Sequence, residues 1–268
     1  MKKILLAGLI ALSSQFALAG MDTKSIDPEF VKIEAMVKAN NLTGAYQALD
    51  KLAKQGNAQA LYNLGYLTQT GQGTAKDEKK AIQLYEQSSA KGYPVASYVL
   101  GKNYIVGSMG LKSDPAKAKQ YLEKAASQGF EDASVDLAVL LFSENKPESD
   151  KAGLARLDPL IKKGNYQAIH AKALYDISTG FKNKDEKPIQ QGLSSIQDLA
   201  KKGYIPALMA VGNMFANGNI VPQNLPEAKK IFTALAKENV PQAKASLATV
   251  DKMIAEQAKN PAPAAKKS

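Results

Sequence analysis

Along most of the chain, small and large apolar positions recur at helical spacing, broken by a short signature. It consists of a small or apolar pair, two mostly polar residues and a Gly. The first clear instance is Leu52-Ala53-Lys54-Gln55-Gly56, and the pattern ends again at Gly92, Gly129, Gly164 and Gly203, and at Asn239 with Asn in place of Gly. The spacings of 36, 37, 35, 39 and 36 residues are those of an internal repeat. Gly or Asn at these positions predicts helix ends, because a residue at positive φ lets the chain turn without a Cβ clash.

The phase holds on both sides of each turn. Four residues beyond it stand Ala60, Ala96, Ala133, Ala168, Ala207 and Ala243, and nine beyond stand Gly65, Gly101, Ala138, Ala173, Gly212 and Ala248. Eleven residues before it the positions are small (Ala45, Ala81, Ala118, Gly153, Gly192, Ala228), and seven before they are large and apolar (Leu49, Tyr85, Leu122, Leu157, Ile196, Phe232). Small and large positions alternating at helical intervals predict two helices per unit pressed together, with small side chains where the backbones approach. Pro94, Pro206 and Pro241 fall just after turns, in the first helical turn where Pro is tolerated.

Breakers between the two helices recur in Gly71-Gln72-Gly73, Gly107-Ser108-Met109-Gly110 and Asn217-Gly218-Asn219. The third and fourth units carry Ser143 to Lys151 and Ser178 to Pro188 instead, and these polar stretches predict irregular, exposed connections. Pro28 to Gln55 reads as a first helix pair, and Pro241 to about Ala258 as an unpaired closing helix. The expected organisation is a leader at 1–19, an all-α solenoid of about six helix pairs with a C-terminal capping helix at 20–258, and a disordered tail at 259–268.

The leader decides the expected compartment. Lys2 and Lys3 precede an apolar run from Ile4 to Leu12, and Ala17-Leu18-Ala19 closes the segment, which is the pattern of a secretory signal peptide cleaved after Ala19. The run is short of the roughly 18 to 20 residues that cross a bilayer, so a permanent anchor is the lesser reading and the mature chain is expected to lack an integral membrane segment. Without any Cys there is no thiol for a lipid anchor, a disulfide or a nucleophile. A periplasmic protein is expected, with secretion beyond the outer membrane left open.

Charge adds one exclusion. The net charge of +10 falls to +8 when Lys2 and Lys3 leave, and Arg156 is the only basic residue that is not Lys. Reading base edges and clamping phosphates lean on the guanidinium fork, so nucleic acid is not an expected partner.

These units resemble the Sel-one-like repeats, relatives of the tetratricopeptide repeats. Ala96, Leu100-Gly101, Tyr104, Gly107, Asp114, Lys117-Ala118, Ala125-Ala126 and Gly129 match that family's unit. Ala60 to Gly92 matches through Leu64-Gly65, Gly71, Gly73, Asp77 and Lys80-Ala81, and Ala207 to Asn239 also fits. The third and fourth units depart, with Lys172 in place of the Leu and the Gly loops missing. The resemblance implies a right-handed α–α superhelix acting as an adaptor or scaffold. Exported bacterial members are associated with envelope assembly, secretion machinery and host contact.

Candidate chemistry is sparse. His170 is the only His, and neither a Gly-x-Ser-x-Gly elbow nor a Gly-x-x-x-x-Gly-Lys loop occurs. Gly71-Gln72-Gly73 follows a helix rather than a strand and fits the repeat's own loop. Asp77, Asp114 and Glu227 stand near starts of second helices, where carboxylates favour the helix dipole, and Lys residues gather just before the turns, where cations suit helix C-termini. No catalytic residue, metal site or small-molecule cofactor is expected, and the partners expected are proteins of the cell envelope.

Their candidate surface comes from two offsets on the first helix of each unit. Six residues beyond the turn are Tyr62, Tyr98, Val135, His170 and Met209, and ten beyond are Tyr66, Lys102, Val139, Leu174 and Asn213. Stacked repeats line these into a stripe on a concave face, whose proposed partner-binding residues are Tyr62, Tyr66, Tyr98, Lys102, Val135, His170, Met209 and Asn213. The competing reading buries the stripe between successive first helices. The first functional choice is a scaffold that docks a protein segment and assembles or positions an envelope machine, such as a secretion system of type VI or another type. The alternatives are a regulator of a peptidoglycan hydrolase and, last, direct catalysis on cell-wall material by scattered carboxylates.

Overall fold

A computed structural model of the protein describes residues 28–259. The expected signal peptide at 1–19 lies outside the described residues, as does the expected tail except Lys259, which ends a helix. Thirteen helices and no strand occur among the described residues, so the all-α class and the helix-pair repeat stand as expected. The chain divides into two compact units, one up to Leu140 and one from Leu141 onward.

The first unit contains α1 (Pro28–Lys38), α2 (Leu42–Lys54), α3 (Ala58–Thr70), α4 (Glu78–Ala90), α5 (Pro94–Val106), α6 (Pro115–Ser127) and most of α7 (Glu131–Ser143). The second contains α8 (Pro147–Lys162), α9 (Tyr166–Asn183), α10 (Glu186–Lys201), α11 (Ile205–Asn217), α12 (Leu225–Lys237) and α13 (Pro241–Lys259). All six turn residues take the left-handed conformation, with φ of +86° at Gly56, +89° at Gly92, +83° at Gly129, +75° at Gly164, +77° at Gly203 and +61° at Asn239. Each reverses the chain between the second helix of one pair and the first of the next.

Within a pair, the sequence registers meet face to face. A Cβ added at Gly65 would come 2.8 Å from the Tyr85 ring, at Gly101 2.9 Å from Leu122 Cγ, and at Gly212 2.7 Å from the Phe232 ring. In these three pairs the small position of the first helix is therefore the seat of the large position of its partner. In the pair α9–α10 the roles shift: Gly192, on the second helix, would place a Cβ 2.5 Å from the Ala173 carbonyl oxygen. Leu49, Tyr85, Leu122, Leu157, Ile196 and Phe232, the large positions, are all essentially inaccessible. Each such side chain contributes about 1.5–3 kcal/mol by burial.

Side chains close the helix starts. Asn57, Asp77, Asp114, Asn165 and Asn224 accept hydrogen bonds from the backbone N–H of Ala60, Lys80, Lys117, Ala168 and Glu227, at 2.9–3.1 Å. Glu227 thus sits in the first turn of α12 while Asn224 does the capping.

The third and fourth connections differ from expectation. Only Glu144–Lys146 separates α7 from α8, and only Lys184–Asp185 separates α9 from α10, so Pro147–Lys151 and Ser178–Asn183 are helical. No Gly in a loop stops α9. Its Thr179 hydroxyl donates back to the Tyr175 carbonyl at 2.9 Å, and Lys184, at φ +55°, makes the turn instead.

Candidate functional site

The stripe can be followed in each unit separately. In the first unit Tyr62 is only 4% exposed. Its ring lies 5.5 Å from that of Tyr85 and 5.4 Å from that of Tyr93, the residue immediately after the Gly92 turn. Burial pushes its hydroxyl well above the ordinary phenol range, and Tyr93 is pushed up to about 12 for the same reason. Val135 is likewise buried. For these two residues the expected partner contact is corrected, because a side chain with so little free surface has almost nothing to offer. Tyr66 is half-buried and keeps part of its ring accessible.

Tyr98 and Lys102, one turn apart on α5, converge on one carboxylate of α7. The Tyr98 hydroxyl donates to Asp136 Oδ2 at 2.9 Å and Lys102 Nζ donates to the same oxygen at 2.7 Å. The ammonium also stands 5.8 Å from the Tyr98 ring centroid, and the Phe130 ring centroid is 4.8 Å from that of Tyr98. Burial raises the Tyr98 phenol, with the neighbouring Asp136 charge adding to it. Asp132, one turn before Asp136, is raised by burial and then by Asp136 and Glu131. Two donors already occupy Asp136, so this arrangement ties α5 to α7 rather than leaving an acid–base pair free.

In the second unit His170 is half-buried, its ring 5.7 Å from Tyr204, the residue after the Gly203 turn. Nε2 is buried and makes no hydrogen bond among the described residues, and burial lowers the imidazole below its ordinary range, favouring the neutral form. Met209 and Asn213, the two stripe residues of α11, line a cleft of about 600 Å³. Leu174 of α9, Ile205, Ile220 and Val240 complete much of its wall. Leu174 and Ile205 are 42% and 39% exposed, large apolar side chains left in contact with water.

At three of the turns, the residue that follows lays its ring against the offset-six residue of the preceding first helix. Tyr93 lies on Tyr62, Phe130 on Tyr98 and Tyr204 on His170, with ring centroids 4.8–5.7 Å apart. The corresponding residue after Asn239 is Val240, and it and Met209 are both cleft walls. Sequence reasoning missed these covering residues as it missed Ile205 and Ile220. The aromatic identities at 93, 130 and 204, and an apolar pair Ile220-Val221 inside a loop, were the available signals.

Among the described residues no helix is long and apolar enough to cross a membrane, and no three His, Asp or Glu side chains are grouped to hold a metal ion.

The sequence pattern of the family described as Sel1 repeat matches residues 58–93, 94–130 and 205–240, which are the helix pairs α3–α4, α5–α6 and α11–α12. Protein sel-1 homolog 2 of Homo sapiens is 35% identical over 86 residues, covering 32% of this chain and 12% of that protein. An uncharacterized protein of Neisseria meningitidis serogroup B is 32% identical over 135 residues, covering 46% of this chain and 28% of that protein. The chain therefore spans only a minor part of these curated relatives. A Sel1 repeat protein from Oxalobacter formigenes superposes with a TM-score of 0.62 at 22% identity, over 82% of this chain and 86% of that one. A protective antigen of uropathogenic Escherichia coli displaying an SLR fold gives 0.55 at 21% identity, over 84% of this chain and 53% of that one. These two structures share the fold.

Proposed function

We propose, from a chain that belongs to the Sel1-like repeat family, that its work is to hold other proteins: an exported scaffold docking a segment of an envelope protein and so assembling or positioning a larger machine. The observation that carries this reading is the open cleft of the second unit, where successive first helices present apolar side chains and uncovered amides to solvent. The family's repeats are interaction modules, and burial lowers the imidazole of the sole His while Asp136 is held by two donors. Export is supported by Lys2, Lys3, the apolar run to Leu12 and the Ala17-Leu18-Ala19 site.

Photo-cross-linking residues introduced one at a time at Tyr66, Lys102, Met209 and Asn213 test the holding role in the living cell. A discrete protein adduct from at least one site is expected, and its identity separates a secretion apparatus from a peptidoglycan hydrolase as the partner. No adduct from any site would refute the scaffold. N-terminal sequencing of the chain recovered from the envelope is expected to begin at Gly20, and a chain retaining Met1 there would refute processed export.

A further inference from the structure

The cleft of the second unit is set apart by its charge. Charged residues make up 22% of the chain, yet none of the twelve residues lining the cleft is charged. Its wall is aliphatic and thioether, from Met209, Met214, Ile220 and Val240, and methionine adapts to varied apolar shapes. Four amide side chains border it: Asn213, Asn217, Asn219 and Gln242. All four are exposed, and none makes a side-chain hydrogen bond among the described residues. A carboxamide both donates and accepts without net charge, which suits a peptide main chain with its own N–H and C=O. An ionised group brought onto the same wall would lose water and find no counter-charge.

We propose that this cleft takes an uncharged, extended peptide segment, one large apolar side chain entering beside Met209 while the amides of Asn213, Asn217, Asn219 and Gln242 pair with the main chain of the segment. The assignment rests on the protein-holding reading above and supplies the partner's chemistry. A volume of about 600 Å³ exceeds the methyl-scale voids of a packed core and falls among true ligand clefts. Its existence traces to Val240. The residues that follow two of the first unit's turns and the Gly203 turn are Tyr93, Phe130 and Tyr204, whose rings cover the preceding first helix, whereas Val240 is too small to cover Met209. The same geometry supplies a way to close the cleft without disturbing the fold, since Val240→Tyr installs the ring already found at equivalent turns.

The test selects binders from a random peptide library displayed on phage against the full chain, then measures synthetic versions by fluorescence anisotropy. Selected peptides are expected to carry Leu, Ile, Met or Phe among uncharged neighbours. Their Kd is expected to change less than about twofold between about 0.1 and 1 M NaCl, although the screening length shrinks from about 10 to 3 Å. Val240→Tyr is expected to weaken binding about tenfold or more while the melting temperature holds or rises. Asn213→Ala, at an exposed residue, is expected to weaken it about two- to tenfold. Charged, salt-sensitive peptides, or no enriched peptide, would overturn the proposal. Peptides indifferent to both substitutions, with cross-links forming elsewhere in the cell, overturn the cleft and leave the scaffold standing. Absence of any cellular cross-link removes the scaffold itself. Sedimentation showing self-association abolished by Val240→Tyr would make a second copy the occupant and overturn the peptide assignment.

Discussion

Replacing Gly192 with Ala probes a close helix–helix approach in the second unit. The added Cβ would stand 2.5 Å from the Ala173 carbonyl oxygen and 2.7 Å from Ile177 Cγ1, both far inside ordinary contact. Two effects oppose each other. Ala is favoured over Gly inside a helix by about 1 kcal/mol. Overpacking a closed site costs about 1–3 kcal/mol, and the upper end applies here because the obstacle is backbone, which moves only if α9 moves as a whole. The expected net loss is about 2 kcal/mol, or roughly 4–8 °C of melting temperature for a chain of this size. Gly101→Ala provides the comparison: its Cβ would meet Leu122 Cγ at 2.9 Å but the Ala118 carbonyl only at 3.3 Å, so a side chain can yield part of the space and a smaller loss is expected. Both variants are measured by thermal and urea denaturation, with amide exchange locating the weakened helices, because repeat arrays can lose cooperativity. A Gly192→Ala protein as stable as the parent, or less affected than Gly101→Ala, would refute this account of the helix pairs.

Asp77→Ala removes the acceptor of the Lys80 N–H at 2.9 Å and is expected to cost about 1 kcal/mol, with exchange rising at the start of α4; unchanged stability refutes the cap. His170 is the only imidazole, so its NMR titration is unambiguous, and burial predicts a midpoint below the ordinary value of about 6.5. The unfolded chain then takes up the proton first as pH falls, so the His170 contribution is complete above the unfolded value and is lost on acidification through the lower folded one. His170→Gln should flatten that part of the stability profile, and a folded midpoint at or above 6.5 contradicts the burial argument. Tyr98→Phe removes the 2.9 Å hydrogen bond to Asp136 and should cost about 1 kcal/mol regardless of salt, whereas Lys102→Met should cost less than about 1 kcal/mol and lose its effect in high salt. Equal salt responses in the two variants would show that the cluster does not divide in this way.

The fold was legible because its constraints act at single residues. A left-handed φ selects Gly or Asn, and a close helix approach selects Gly or Ala, so Gly56 to Asn239 and Gly65 to Ala248 mark the repeat whatever surrounds them. Helix length is set differently, by the sum of weak preferences along many residues. Ser178–Asn183 is polar enough to read as a loop, yet it continues α9, with Gly180 buried against Ile189 and Thr179 bonded back to Tyr175. The burial of the stripe was hidden for a third reason. An offset from the turn fixes which face of a first helix a residue occupies, but exposure there depends on what the next turn delivers. Tyr62 and Met209 share an offset, yet one lies under the Tyr93 ring and the other beside Val240 in an open cleft. The residue after the turn is the N-cap of the next first helix, a place that Asn57 and Asn165 fill with a side-chain hydrogen bond and Tyr93 and Tyr204 without one, so its type is not fixed across the array. Where that residue is aromatic it lies against the preceding offset-six side chain, as Tyr93 does against Tyr62, and where it is Val240 the cleft beside Met209 stays open.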